Sequence, residues 1–227
     1  MSYLDVSKIE VCKTLEDNYD IILEEYKSFQ FDINKVVDVE GKDDNWEMWK
    51  KIQKLTYKVS SKSKEGLTDE VYEKGFADYV ASFKPYQAAH GWYGLKSESD
   101  KSVWDGVLLG TRANLDNTMS SKLNSTPVCD DFFNRTINCL QGFSRVMNVM
   151  LARLPAGGKL PKHSGFPSLN RIHFGMIVPE GDISFCVGGE LKKWEEGKCL
   201  AFNDGSEHTA WNNTDIDRVV MIVDVIA

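Results

Sequence analysis

From about residue 143 onward, the chain is divided into short β-branched runs by turn residues at nearly regular intervals. Strands are predicted at 144–154, 171–178, 182–187, 198–202, 208–211 and 218–225, with Gly, Pro, Asn and Asp clusters between them. Short strands at this spacing are typical of a β-sandwich or barrel, because each run is long enough to cross a sheet once. Residues 143–227 are therefore predicted to form a β core.

Before residue 143 the apolar spacing favours helices. They are predicted at 17–29, 45–59, 68–83 and 126–140, the last beginning with a Thr126 cap and Pro127 at the first helical position. Strands are expected near Trp92 and at 107–109, and residues 111–126 are predicted to be a polar loop. We expect a single domain, 1–227, in which a largely helical part, 1–142, packs around the β core.

Charge and cysteine content narrow the class of protein. The 227 residues carry a net charge of -7 and no basic stripe, which argues against nucleic acid as a partner. No apolar run approaches the ~20 residues of a membrane span, and no secretion signal begins the chain, so a cytoplasmic protein without a membrane partner is expected. The odd number of cysteines, five, favours free thiols, although Cys186 and Cys199 flank a predicted turn and one disulfide stays open.

Two predicted strands carry polar side chains that are costly to bury. In 171–176, period two places Arg171 and His173 on one face and Ile172, Phe174 and Met176 on the other. Strand 218–225 is apolar on both faces, which predicts a central strand with Arg218 at its entrance. A buried guanidinium or imidazole inside a sandwich needs an anion or a metal opposite it.

Simpler explanations fit the same residues. A lone histidine on a strand is commonly a hydrogen-bonded core residue, and Arg218 has Asp215 and Asp217 nearby in sequence as possible ion-pair partners. Two histidines on separate strands, His163 and His208, also suit zinc.

Three blocks, in order, carry a more specific signal. They are 163–165 with 170–175, then 194–212, which contains Phe202, Glu207-His208 and Trp211-Asn212, and finally 217–225. Over residues 144–227 these blocks resemble the aspartyl/asparaginyl β-hydroxylase family of Fe(II)/2-oxoglutarate-dependent oxygenases.

The resemblance implies a mainly β fold with α elements: a double-stranded β-helix (jelly-roll, cupin-like) core with N-terminal helices packed around it. It implies that His163 and His208 bind Fe(II) and that Arg218 forms a salt bridge with the distal carboxylate of the co-substrate 2-oxoglutarate. Arg171 and His173 correspond to further co-substrate contacts, and O2 is the second co-substrate. His163, His208 and Arg218 are thus the expected catalytic set.

Two positions depart from the pattern of the family, and a third, Gly165, departs only from that of other iron oxygenases, because a branch of the family also has glycine there. Gly165 stands where many iron oxygenases have a carboxylate ligand. Ala152 replaces a hydroxyl-bearing co-substrate contact, and Leu169 or Asn170 replaces a substrate-binding arginine, which puts an acidic substrate in doubt. Asp204 and Glu207, in the loop before His208, are expected to orient that histidine.

The predicted function is a dioxygenase that hydroxylates a carbon of an aspartyl or asparaginyl residue, or of a related small amino-acid-like substrate. It would decarboxylate 2-oxoglutarate to succinate. The partner is accordingly a small molecule or a peptide. Two alternatives stay open: a halogenase, because chloride could take the ligand position beside Gly165, and a non-catalytic β-sandwich binding module.

Overall fold

A computed structural model describes residues 2–29, 37–38, 83–87, 93–97, 103–114 and 118–227. The helix predicted at 45–59 lies outside these residues, as does the one predicted at 68–83 except for Phe83, which begins a strand. The helices are a 3-10 turn at Val6–Lys8, α1 (Glu10–Asp17), α2 (Tyr19–Ser28), α3 (Pro127–Phe132) and α4 (Asn134–Leu140).

Thirteen strands occur in the described ranges. They are β1 (Val37–Asp38), β2 (Phe83–Gln87), β3 (Tyr93–Ser97), β4 (Val103–Ala113), β5 (Met119–Ser125), β6 (Val146–Leu154), β7 (Lys159–His163), β8 (Leu169–Ile177), β9 (Ile183–Val187), β10 (Glu190–Lys192), β11 (Cys199–Asn203), β12 (His208–Asn212) and β13 (Arg218–Ile226).

Strands β6 to β13 form the predicted double-stranded β-helix. The chain passes back and forth between two antiparallel sheets, so that β6-β13-β8-β11 are neighbours in the large sheet and β10-β9-β12-β7 form the small one. This alternation of eight strands is the jelly-roll arrangement of cupins. Strands β1 to β4 extend the large sheet beyond β6, and β5 pairs with β4.

Two apolar layers cover the two faces of the large sheet. Between the sheets lie residues such as Phe185, Phe202 and Ile222, whereas Ile172, Phe174 and Val223 face α1, α2 and α4. The predicted alternation along β8 and β13 is therefore confirmed. Strand β13 is central, between β6 and β8, because both of its faces are apolar.

Three sequence-based boundaries were wrong. Residues 111–126 are not a loop, because β4 continues to Ala113 and β5 follows; β5 escaped notice since Leu123 is its single buried residue. Strand β7 was not predicted, because its Pro161 is compatible only with an edge strand and the segment is polar. The helix at 126–140 is broken at the buried Phe133, although Thr126 caps its start as expected.

The cysteines are free thiols, as expected. Cys186 lies on β9 of the small sheet and Cys199 on β11 of the large sheet. The Sγ atom of Cys199 instead approaches the carbonyl oxygen of Cys12 on α1, at 3.8 Å.

Glu25 joins the N-terminal helices to α4. Its buried carboxylate accepts hydrogen bonds from the backbone N–H groups of Arg135 and Thr136, at 2.9 and 3.0 Å, and from the Thr136 hydroxyl. These N–H groups lie in the first turn of α4, where no helical carbonyl can accept from them and where the helix dipole favours a negative charge.

Glu25→Gln is expected to destabilise the protein by about 2 kcal/mol, because the amide presents a donor to groups that are themselves donors. Urea unfolding measures the change. Glu24→Gln is the matched control: Glu24 is exposed and pairs with Arg135 on the surface, so a loss below about 0.5 kcal/mol is expected there. Equal effects of the two substitutions would contradict the role given to Glu25.

Candidate active site

The fold brings His163 and His208 face to face. His163 is the last residue of β7 and His208 the first of β12, and the two are direct partners in the antiparallel register. Their ring centroids are 4.1 Å apart. Because the chain alternates between the two sheets, two histidines that are 45 positions apart in sequence become neighbours on adjacent strands.

Both imidazoles are held with the same nitrogen available. Nδ1 of His163 lies 2.8 Å from the carbonyl oxygen of Pro161, and Nδ1 of His208 lies 2.7 Å from that of Ser206. A carbonyl can only accept, so each Nδ1 carries the proton and each Nε2 keeps its lone pair. Fixing the tautomer through a hydrogen bond on the other nitrogen is the usual way in which proteins orient metal-ligating histidines.

Burial keeps the pair neutral. Desolvation lowers the pKa of His163, and desolvation together with the neighbouring His163 lowers the pKa of His208 to about 3. Neutral imidazole is the form that binds a metal ion, so no proton has to be displaced at neutral pH. The two side chains fit a divalent iron, although the described residues contain no group of three or more His, Cys, Asp or Glu side chains with metal-binding geometry.

Arg218 is the second conspicuous group. Its side chain is 5% exposed, and its Nε and Nη1 atoms are buried without a hydrogen-bond partner in the described part of the chain. Burial lowers the pKa of Arg218 to about 9. The alternative that Asp217 neutralises Arg218 is not supported, because Asp217 accepts from Arg153 and from the backbone of Ala156. A buried guanidinium with unfilled donors fits a carboxylate ligand.

An aromatic row connects the histidine pair to Arg218. The guanidinium lies 4.5 Å from the ring of Trp194, and Trp194 donates through Nε1 to Nδ1 of His173 at 3.3 Å. Phe185 stacks on His173 and meets His208 edge-on, with ring centroids 4.8 and 5.8 Å apart. Desolvation, followed by the charge of Arg218, holds the pKa of His173 well below its usual range, so this ring is neutral.

Asp204 occupies the space beside Gly165. A methyl group on Gly165 would lie 2.5 Å from Cγ of Asp204. The carboxylate accepts from the backbone N–H of Phe166 at 2.8 Å, and its Oδ1 lies 4.0 Å from Nε2 of His208. Asp204 therefore brings a carboxylate from a different loop next to the histidine pair. Ser206 holds Nδ1 of His208 and Asp204 lies beyond hydrogen-bond distance of Nε2, so the orienting role of Asp204 stays a prediction.

Gly165→Ala is expected to displace Asp204, because the new methyl group and the carboxylate cannot share this volume. Overpacking of this kind costs about 1–3 kcal/mol. Thermal unfolding in the absence of metal measures it. Gly142→Ala is the control, since a methyl group there meets nothing within 4 Å. A Gly165 variant as stable as the Gly142 variant would show that Asp204 can leave without cost.

The remaining predicted residues have other contacts. Arg171 binds Asp224 through Nε, at 2.7 Å, and Asp204 through Nη1, at 2.6 Å, so its described partners are two carboxylates. Burial raises the pKa of Asp204 to about 6 against the opposing effect of Arg171. Glu207 is exposed and pairs with Lys162 on the rim, which does not support the expectation that it orients His208.

Sequence reasoning missed two features of the site. Trp194 was quoted only as part of a matching block, yet it supports both Arg218 and His173. The Arg171–Asp224 ion pair was not foreseen either, although a signal existed: both residues lie on the inward face of their strands and are register partners in β8 and β13.

Comparison with known proteins identifies the family of the chain. The family model described as aspartyl/asparaginyl beta-hydroxylase matches residues 76–227. An ornithine lipid ester-linked acyl 2-hydroxylase of Rhizobium tropici is 38% identical over 90 residues, which are 38% of this chain and 32% of that protein. The aspartyl/asparaginyl beta-hydroxylase of Mus musculus is 30% identical over 94 residues, 41% of this chain and 12% of that protein.

Among solved structures, a predicted oxalate decarboxylase of Thermotoga maritima aligns with a TM-score of 0.37 and 12% identity, covering 65% of this chain and 96% of that one. None of the helices in the described ranges has the length and apolar character needed to cross a membrane. The family match spans more than half of the sequence and contains the histidine pair, Arg218 and Asp204. The chain belongs to the aspartyl/asparaginyl β-hydroxylase family.

Proposed function

We propose that this protein is an Fe(II)/2-oxoglutarate-dependent dioxygenase that hydroxylates an unactivated carbon of its substrate. The observation that carries the proposal is the combination of a neutral histidine pair with a buried guanidinium at the other end of one aromatic row. The Nε and Nη1 atoms of that guanidinium have no hydrogen-bond partner within the described segments. A metal and a dicarboxylate together account for both features, whereas zinc bound by two histidines leaves Arg218 without an explanation.

Each group has a defined task in this proposal. His163 and His208 bind the iron through Nε2, and Arg218 binds the distal carboxylate of 2-oxoglutarate, which fixes the direction of the co-substrate along the row. His173 and Trp194 flank that path and exclude water from it. Bound iron supplies oxygen activation coupled to decarboxylation of 2-oxoglutarate to succinate; the protein supplies orientation and a dry cavity. The co-substrate contact predicted for Arg171 stays a prediction.

The surroundings of Gly165 support hydroxylation over halogenation. A halide ligand requires an anion-sized space next to the histidine pair where the usual carboxylate is missing. Here that space contains the carboxylate of Asp204, and a chloride ion beside it would meet a negative group at low dielectric. A water molecule, in contrast, can donate to Asp204, so water is the better third ligand.

The substrates named for the relatives suggest two candidates for the substrate of this chain: an aspartyl or asparaginyl residue, and an ester-linked acyl chain. The chain covers about a third of the Rhizobium protein and about an eighth of the mouse protein. The activities named for those proteins are therefore proposals for this chain. The shared chemistry is hydroxylation of a carbon bonded to a carbonyl carbon. That carbon is C2 in an acyl chain and Cβ, next to the side-chain carbonyl carbon, in an aspartyl or asparaginyl residue.

The experiment is a co-substrate turnover assay. Succinate formed from 2-oxoglutarate is measured with Fe(II), without it, and with candidate peptides, amino acids and acyl amides, and products are identified by mass. We expect iron-dependent succinate formation and a product heavier by one oxygen atom. Absence of 2-oxoglutarate binding by the iron-loaded protein would refute the proposal, and a chloride-dependent chlorinated product would replace it with halogenation.

A further inference from the structure

We propose that the substrate carries no negatively charged group, such as a carboxylate, next to the carbon that is oxidised. We propose further that Asp224 enforces this selectivity by keeping the donors of Arg171 occupied. The inference rests on the proposed function for the existence of a substrate site, and it adds the charge class of the substrate and a specificity-determining residue. Two observations support it: the partners of the six arginines, and the ion pairs that Arg171 forms with Asp204 and Asp224.

An arginine is the side chain best suited to hold a carboxylate, because its fork of donors matches the two oxygens. The chain has six: Arg112, Arg135, Arg145, Arg153, Arg171 and Arg218. All six lie in described segments, so those segments account for every arginine that the protein can offer to a substrate.

Three of the six are committed to the scaffold. Arg112 donates to backbone carbonyl groups, among them those of Val146 and Phe143, at 2.8 and 3.0 Å. Arg153 pairs with Asp105 and Asp217, and Arg135 with Glu24 and Glu25. Arg145 is exposed at the turn before β6. Arg218 has free donors, but the proposed function assigns them to 2-oxoglutarate.

Among the arginines of the chain, Arg171 is thus the one whose state decides whether the site can hold a carboxylate besides the distal one of 2-oxoglutarate, whether that carboxylate belongs to the substrate or, as predicted above, to the co-substrate. Its side chain is 18% exposed, and it lies on the same inward strand face as His173, within electrostatic range of both metal-site histidines. Asp224 occupies its Nε and Nη2 donors at 2.7 and 3.2 Å, and Asp204 lies against Nη1.

With both acids ionised, the cluster of Arg171, Asp204 and Asp224 carries one net negative charge. With one of the two acids protonated, the cluster is neutral. A substrate carboxylate placed there would find the fork filled and two acids opposite it. Asp224 is itself held from the far side, because Asn148 donates to its Oδ2 at 3.4 Å and Thr111 donates to Asn148 at 2.8 Å. These hydrogen-bonded side chains lie on β4, β6, β13 and β8 in turn, so Asp224 cannot turn away from Arg171 without breaking the hydrogen bond from Asn148.

The test uses Mn(II)-loaded protein saturated with 2-oxoglutarate, because Mn(II) occupies iron sites and broadens the NMR signals of ligand protons near it. The probes are butanamide and butanoate, which differ in charge and little in size. In the wild type we expect butanoate signals to be broadened less than butanamide signals. In Asp224→Asn, which removes the charge and keeps the shape, the apparent affinity for butanoate should rise at least about tenfold, equivalent to about 1.4 kcal/mol.

Asp17→Asn is the matched control, since substitution of this exposed acid on α1 changes the net charge equally and Asp17 pairs with Lys13 on the surface. Should Asp224→Asn fail to fold, as judged by circular dichroism, Asp224→Ser takes its place. The proposal is overturned if the wild type binds butanoate as tightly as butanamide, if the Asp224 variant gains no butanoate affinity, or if Asp17→Asn gains as much. Loss of butanoate broadening in Arg145→Ala would overturn it in favour of the exposed arginine.

Failure of the proposed function gives a different result. In that case the signals of 2-oxoglutarate itself are not broadened by Mn(II) in the wild type, and Arg218→Met changes nothing. The two probes are then compared on the Mn(II)-loaded protein without 2-oxoglutarate, and equal broadening of butanoate and butanamide signals there overturns the selectivity assigned to Asp224.

Discussion

His208→Ala is expected to weaken divalent metal binding at least about a hundredfold and to abolish iron-dependent succinate formation. The reason is the small number of protein ligands. With glycine at position 165, the site has two imidazoles, and removal of one leaves the metal bound by a single side chain.

Anaerobic titration of the protein with Fe(II) or Mn(II) measures the effect without turnover. Glu207→Gln is the neighbouring control, because Glu207 precedes His208 and pairs with Lys162 at the surface. Its metal affinity should equal that of the wild type. Unchanged metal affinity of His208→Ala would place the metal elsewhere and would contradict the proposed site.

Arg218→Met is expected to have opposite effects on stability and on binding. The Nε and Nη1 atoms of the Arg218 guanidinium are buried without hydrogen-bond partners among the described residues, and its stacking on Trp194 offsets only part of that cost. Methionine has a similar length and no charge, so the ligand-free protein should become more stable by about 1–3 kcal/mol. Affinity for 2-oxoglutarate should fall by about two orders of magnitude, since a charge-assisted bidentate contact contributes about 3 kcal/mol.

Arg153→Met is the matched control for this result. Arg153 is also buried, at 2% exposure, but it pairs with Asp105, with Nε 2.8 Å from Oδ1. Removal of one partner from a buried ion pair costs about 3–5 kcal/mol, so this variant should be strongly destabilised. Chemical unfolding with and without 2-oxoglutarate distinguishes the two. A destabilised Arg218→Met protein that still binds 2-oxoglutarate would mean that Arg218 has a scaffold role.

The β core was predictable because its strands obey local rules. Turn residues divide 143–227 into segments, and period two sorts each strand into two faces, which the structure confirms for β8 and β13. The same rules failed for β5 and β7. Both are polar strands, and pairing is what makes them strands. Strand β5 pairs with β4, which directly precedes it and continues beyond its predicted end at residue 109, and β7 pairs with β12, which lies much later in the sequence.

The residues of the site were predictable, but their states were not. The sequence by itself determined that His163, His208 and Arg218 exist in blocks typical of one family, and that Gly165 supplies no ligand. Only the tertiary structure decided that the two histidines meet across adjacent strands and that Asp204 fills the space at Gly165. It also decided that Arg218 is buried with donors unfilled by any described residue, whereas Arg171 is held by two acids. The physical reason is that burial and charge pairing depend on which strands become neighbours, and strand neighbours in a double-stranded β-helix are distant in sequence.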